Sequence, residues 1–441
     1  MTGPDPSIDA LLQRANAAFQ DGRLDEALDA SREVLALQPE RADVMAFAGM
    51  VALRMGDNGE AARMYHASLA IRPDHPEAFY NLGNALKNLG RPGDAMAAYG
   101  RAIDIRPDLA PAHHNIGSVL QSLERYEEAE TAYRRTLELA PNVPEPHRNL
   151  GIVLQRLERL EEATECFRSA VALRPDWEVA YTNLATVLLQ RGEARETVAA
   201  CEAWLAHFPG SVEGMAFKCA ALNDAGEEEA LGELLDFDRF VHMRRWPAPP
   251  GYTGIEAFNA ALADFVSSHP TMRVPPEDDP TYHHPNLQIT EELLGQRDGP
   301  MAQLEAMMVE AVRDYERALP DDPAHPFIAN WPRRWRLSSW ATLIEGQGNL
   351  VPHIHLDGYL GGVYYPDIPS IVDDAVQQPA GWFELGRPPD ALPCQSEPVV
   401  RAIRPEEGLM LLFPGYFYHR TVPFESNERR ISIAFDVVPD L

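Results

Sequence analysis

The sequence predicts a chain of two modules. An all-α repeat solenoid comes first, followed by a double-stranded β-helix, or jelly-roll barrel, with flanking helices. Three observations carry this. Pro39, Pro73, Pro107, Pro141, Pro175 and Pro209 recur at an unbroken spacing of 34 residues. That period stops after about Gly226. From Trp335 onward, short runs of alternating apolar and polar residues are separated by Gly, Pro, Asp and Asn. The expected division is 7–235 for the solenoid and 236–441 for the barrel domain.

The same register carries Gly49, Gly83, Gly117 and Gly151, then Ala27, Ala61, Ala95, Ala129 and Ala163, then Tyr65, Tyr99, Tyr133 and Phe167. Small residues let two helices approach and an aromatic ring fills the gap. Proline stops the second helix because it has no N–H to donate. Six units fit between about Ser7 and Ser211, and VEGMAFKCAALNDAGEEEALGELL reads as a degraded seventh that caps the stack. The units, residues 76–109 for instance, resemble tetratricopeptide repeats. That resemblance implies a concave groove for a polypeptide, lined by Asn81, Asn115, Asn149 and Asn183 at one point of four successive first helices. An asparagine donates and accepts together, which suits a peptide main chain.

In the second half, Asp236–Gly254 reads as a proline-interrupted junction. Helices are expected over 255–269 and 300–319, with the loop-rich stretch PPEDDPTYHHPN between them. Strands are expected at WRLSSWATLIE, LVPHIH, GGVYYP, GWFEL, VVRAI, GLMLLFP and RRISIAFDVV.

The densest chemistry follows. His353, His355 and Asp357 are spaced i, i+2, i+4, so an extended strand turns all three to one face. His419 comes just after the apolar run GLMLLFP. Two ligands at i, i+2 with a distant histidine match a facial triad that leaves metal positions open. One strand does not give all three residues to one ion, because at about 3.3 Å per residue His353 and Asp357 stand about 13 Å apart. The pair is therefore His353 with His355, or His355 with Asp357. Other histidines, among them His113, His114, His147, His283 and His284, read as surface or loop residues. Arg333, Arg334 and Arg336 read as a solvated strand edge.

This region, HIHLDGYLGGVYY, then PEEGLMLLFP, His419 and RISIAFD, is similar to the iron(II)- and 2-oxoglutarate-dependent oxygenases over about residues 251–436. More narrowly it resembles a bacterial branch whose recurring letters are H-x-H followed by G-V-Y-Y. Most of the superfamily uses H-x-D, which His355-Leu356-Asp357 also spells. The narrower resemblance implies His353, His355 and His419 as iron ligands, with Asp357 as the alternative. It further implies 2-oxoglutarate and O2 as cosubstrates, and a buried cation for the far carboxylate on the strand after the distal histidine. Of the two candidates there, Arg429 shares a face with Ile431, Ile433 and Phe435, whereas Arg430 shares one with the small Ser432 and Ala434. Arg430 is the expected carboxylate ligand, since a guanidinium binds a carboxylate in two-point fashion. Tyr365 is the hydroxyl donor that the resemblance implies beside it.

Composition narrows the partners. With 38 basic and 67 acidic residues the net charge is −29, which repels phosphate backbones and anionic lipid, and no basic patch offsets it. No nucleic-acid or membrane partner is expected. Cys166, Cys201, Cys219 and Cys394 lack C-x-x-C spacing, so neither a zinc knuckle nor a disulfide framework is expected. No stretch approaches about 18 consecutive apolar residues and no secretory leader is read, so a reducing, cytoplasmic setting is expected. The expected function is a dioxygenase that hydroxylates a polypeptide recruited by the solenoid. The alternatives are a non-catalytic repeat adaptor with a metal-binding or inactive barrel, and a cupin-like barrel that works without 2-oxoglutarate.

Overall fold

A computed structural model describes residues 7–276 and 286–440. His283 and His284 lie outside the described residues. By compactness the chain divides into Met1–Arg174 and Pro175–Leu441.

The first unit consists of ten helices in five pairs: α1 (Ile8–Gln20), α2 (Leu24–Leu37), α3 (Ala42–Met55), α4 (Asn58–Ile71), α5 (Pro76–Asn88), α6 (Pro92–Ile105), α7 (Ala110–Ser122), α8 (Tyr126–Leu139), α9 (Pro144–Arg156) and α10 (Leu160–Leu173). Each even-numbered helix stops two residues before one of the periodic prolines. The glycine register has a steric cause. A Cβ on Gly83 would fall 2.4 Å from the Tyr99 ring, on Gly117 2.8 Å from Tyr133, and on Gly151 2.6 Å from Phe167. The rings are fully buried, so the missing side chain is what lets each pair close.

Within this unit the asparagines have a structural task. The Tyr99 hydroxyl donates to Asn84 Oδ1 at 2.8 Å, and Asn115 Nδ2 donates to the same oxygen at 2.8 Å. Asn81 and Asn149 lie beside the hydroxyls of Tyr65 and Tyr133. An amide from one unit thus meets the buried phenol of the unit before it. His113 and His147 bond the carbonyls of Pro107 and Pro141. His114, expected at the surface, is instead half-buried with its ring 5.5 Å from Tyr133, and burial lowers its pKa.

The second unit opens with four helices in the same register: α11 (Glu178–Gln190), α12 (Ala194–His207), α13 (Val212–Ala225) and α14 (Glu228–Leu234). The stretch expected as a junction is ordered structure. It forms α15 (Phe237–Phe240) and β1 (His242–Arg245), and β1 joins a sheet. Phe240 is wholly buried there, and that burial decides the outcome against the turn-forming composition. Then come α16 (Ile255–Ser267), β2 (Leu287–Ile289), α17 (Gly299–Ala318) and α18 (Pro326–Ala329).

The barrel follows as β3 (Trp335–Glu345), β4 (Gly348–His353), β5 (Leu360–Asp367), β6 (Phe383–Leu385), β7 (Arg401–Ile403), β8 (Leu409–Pro414), β9 (His419–Phe424) and β10 (Arg429–Pro439). One sheet has the order β1-β8-β5-β10-β3-β2 and the other β4-β9-β6-β7. All pairings are antiparallel, and the two sheets make the jelly roll. Strand β9 is absent from the expected strands, because Pro423 and three polar residues hide its six-residue pattern.

Helices α13 and α14 are bonded to the barrel. The Tyr416 hydroxyl donates to Leu234 O at 2.7 Å, and the Asp224 carboxylate accepts from the N–H groups of Gln395 and Ser396, each at 2.8 Å. Among the described residues, no helix is long and apolar enough to cross a membrane.

Two turns conflict with their conformation. The helix-pair loops place Gly22, Gly56, Gly90, Gly192 and Gly226 at positive φ, but the equivalent positions 124 and 158 hold glutamates at φ 57° and 60°. A side chain costs about 1 kcal/mol there. Glu124→Gly and Glu158→Gly are each expected to raise unfolding stability by about 0.5–1 kcal/mol in denaturant titration. Gly83→Ala is expected to lower it by about 1–3 kcal/mol, because the new methyl overpacks Tyr99.

Candidate metal centre

Antiparallel pairing of β4 with β9 sets His353 directly opposite His419. Their rings lie 4.3 Å apart. The predicted extended run does not continue to 357. It ends at His353, and the Gly358 N–H closes a turn onto the His355 carbonyl at 3.0 Å. His355 is thereby returned toward its neighbours, with ring centres 5.1 Å from His353 and 4.8 Å from His419. Asp357 is exposed on the turn and lines a different cleft, with Leu356, Phe208 and Glu213. The Asp-Gly pair acts as a turn former, as its composition allows.

The three imidazoles offer nitrogens that all lie within 4.8 Å of one another, a group that could hold a metal ion. Their tautomers are set by hydrogen bonds. His353 Nδ1 meets Val351 O at 2.8 Å, His419 Nδ1 meets Phe417 O at 3.1 Å, and His355 Nδ1 meets Asp436 Oδ1 at 2.7 Å. Each acceptor requires the proton on Nδ1, which leaves Nε2 as the lone pair. His355 Nε2 is buried without a hydrogen-bond partner. Burial, and then the neighbouring His353 and His355, push the His419 pKa well below the ordinary histidine value. A neutral imidazole is the form a metal binds.

The same cavity is lined by Trp340, Phe383, Phe413, Tyr365 and Arg430. Phe413 and Phe383 pack against His419 at 4.8 and 5.6 Å, and Trp340 stands edge-on to His355 at 5.0 Å. Alternation along β10 separates the two arginines. Arg429 is exposed and paired with Asp367. Arg430 is 1% exposed. Its guanidinium donates to Gly381 O and, at 3.4 Å, to Ser432 Oγ, and lies 5.2 Å from the Tyr365 ring centre. Among the described residues no carboxylate pairs with it, and burial lowers its pKa. The Tyr365 hydroxyl is fully buried and makes no hydrogen bond of ordinary geometry. A buried cation without a counter-charge is costly, and an anionic group bound against it relieves that cost. Arg333, Arg334 and Arg336 are exposed at the start of β3.

Asp436, Phe383 and Trp340 were not singled out from sequence. Asp436 carried a usable signal, since it lies six residues after Arg430 on the same face of one strand. Titration of the metal-free full-length protein with cobalt(II) is expected to give one site per chain in the visible d–d spectrum. His419→Ala should weaken that site by more than about 100-fold, beyond the range typical of outer-shell changes. Asp357→Asn should leave the spectrum and the affinity unchanged.

Comparison with known proteins adds two family matches. Residues 338–436 match the family described as "Putative 2OG-Fe(II) oxygenase", and residues 47–110 and 108–176 match tetratricopeptide repeat families. No protein of curated function matches the sequence. Similar solved structures include MamA from Desulfovibrio magneticus RS-1, 23% identical over 38% of this chain and 94% of that one, with a TM-score of 0.36. YrrB, described as a repeat protein with an unusual peptide-binding site, is 24% identical over 39% of this chain and 88% of its own, with a TM-score of 0.36. PilF from Pseudomonas aeruginosa is 19% identical over 45% of this chain and 90% of its own, with a TM-score of 0.38. The family matches thus place tetratricopeptide repeats ahead of a C-terminal region, residues 338–436, that matches the family described as "Putative 2OG-Fe(II) oxygenase".

Proposed function

We propose that the C-terminal domain is an iron(II)- and 2-oxoglutarate-dependent dioxygenase that hydroxylates a polypeptide delivered by the repeats. One observation carries this reading: a buried guanidinium with no carboxylate partner, Arg430, and the buried Tyr365 hydroxyl beside it share a cavity with three convergent imidazoles. A metal-only barrel has no use for that cation, whereas a chelating dicarboxylate needs it for its far carboxylate.

In this reading His353, His355 and His419 hold iron(II) from one side. Iron(II), with 2-oxoglutarate and O2, supplies the oxidising chemistry of hydroxylation. Arg430 binds the far carboxylate through paired N–H donors and Tyr365 adds its O–H, so the cosubstrate is oriented before any reaction. Trp340, Phe383 and Phe413 keep bulk water from the reacting atoms. Leu356 and Asp357 border a cleft with Phe208, Pro209 and Glu213 of the last repeats, next to the turn that presents His355. This supports entry of a polypeptide from the repeat side.

A second reading has its own observation. Among the described residues no carboxylate joins the three imidazoles as a direct donor, which favours a metal-binding adaptor. Anaerobic addition of iron(II) and 2-oxoglutarate separates the two. The dioxygenase reading expects a weak charge-transfer band in the visible range, and succinate formation once O2 is admitted. Arg430→Ala should weaken 2-oxoglutarate binding by at least about 30-fold, the scale of losing one partner of a buried charge pair. Metal binding without any affinity for 2-oxoglutarate leaves the adaptor reading standing.

A further inference from the structure

The three histidines are not held alike. His353 and His419 give their Nδ1 protons to neutral backbone carbonyls, whereas His355 gives its proton to a carboxylate, Asp436. We propose that Asp436 is a positioning residue that supplies, through His355, the negative charge the first ring of donors lacks. The inference rests on the reading of the three histidines as metal ligands, and its test separates the two.

The arrangement is specific. Asp436 is 6% exposed and lies on β10, opposite Gly361 of β5 and Ser338 of β3. The chain after His355 is laid across β10 by the Tyr359 N–H, which donates to Val437 O at 2.9 Å. The carboxylate reaches the ring because residue 358 is glycine: a Cβ there would fall 2.5 Å from Asp436 Cγ. Beyond the ring, His355 Nε2 is buried with no partner. The sequence carboxylate–Nδ1–H–imidazole–Nε2 therefore ends at the atom that would hold a metal ion. A carboxylate acting through Nδ1–H raises the basicity of Nε2 and fixes the plane of the ring, and loss of such a partner costs about 10- to 100-fold in metal affinity. Burial of the pair strengthens the effect, because water does not screen it. The charge that other sites obtain from a directly ligating carboxylate is here displaced outward by one imidazole.

The test uses full-length, metal-free protein and cobalt(II) alone, with no turnover. Asp436→Asn retains an oxygen that accepts the Nδ1 proton and removes only the charge. It is expected to lower cobalt(II) affinity by about 10- to 100-fold while circular dichroism and the melting profile stay close to those of the unsubstituted protein. Unchanged affinity would overturn the proposal. Should the variant not fold, the unsubstituted protein still decides the matter. In its zinc-loaded form, nitrogen-15 chemical shifts of the three imidazoles are expected to set His355 apart, with a more deshielded Nδ1 proton and more imidazolate character than His353 or His419. Three equivalent rings would count against Asp436. If the unsubstituted protein binds neither ion, the ligand reading itself fails and the inference falls with it.

Discussion

Much of the barrel's chemistry hangs on how the chain leaves β4. Antiparallel pairing fixes His353 against His419, but pairing alone does not deliver a third ligand, because the next residue on that face would continue along the strand. The strand ends at His353, a turn closed by Gly358 onto His355 follows, and Tyr359 is then captured by β10 of the other sheet. The same few residues therefore bridge the two sheets and set the third imidazole. Because Asp436, Arg430 and Ser432 lie on that β10 strand, register errors there would disturb both halves of the cavity together.

The cavity concentrates polar groups that a stable core would avoid. A guanidinium, a phenol and the His419 imidazole are withdrawn from water, with His353 and His355 half-buried beside them, and the barrel meets that cost unevenly. Backbone carbonyls and Asp436 satisfy one nitrogen of every imidazole, while Arg430 has hydrogen bonds but no carboxylate partner and the Tyr365 hydroxyl makes no hydrogen bond of ordinary geometry. Unevenness of this kind is what supports the proposed binding role of the cavity. The surrounding aromatic contacts, Phe383 and Phe413 on His419 and Trp340 on His355, hold the unsatisfied groups in place.

Legibility in the sequence followed the physics of each element. The solenoid was readable because one steric fact, a glycine facing an aromatic ring, repeats every 34 residues. The burial of Arg430 was readable because period-two alternation sorts the faces of β10, whereas His355 is brought beside His353 by a turn that alternation does not describe. Strand β9 escaped because six residues with a proline do not outweigh a loop reading. Asp436 escaped because its importance lies in a partner 81 residues away. The asparagines were readable as a repeated register but their contacts were not: half-buried Asn115 donates to Asn84 and Tyr99 of the preceding unit.

The bonds from α13 and α14 to the barrel bear on how such a chain can be recombined. A cut at residue 235, where helices give way to strands, would expose buried Leu231, Leu234 and Phe237 and orphan the Tyr416 hydroxyl that Leu234 now accepts from. The last helix pairs, α11 to α14, are compact with the barrel rather than with the repeats that precede them. A segment cut to carry the barrel with these packing partners intact would start at Pro175 and keep both helix pairs with it.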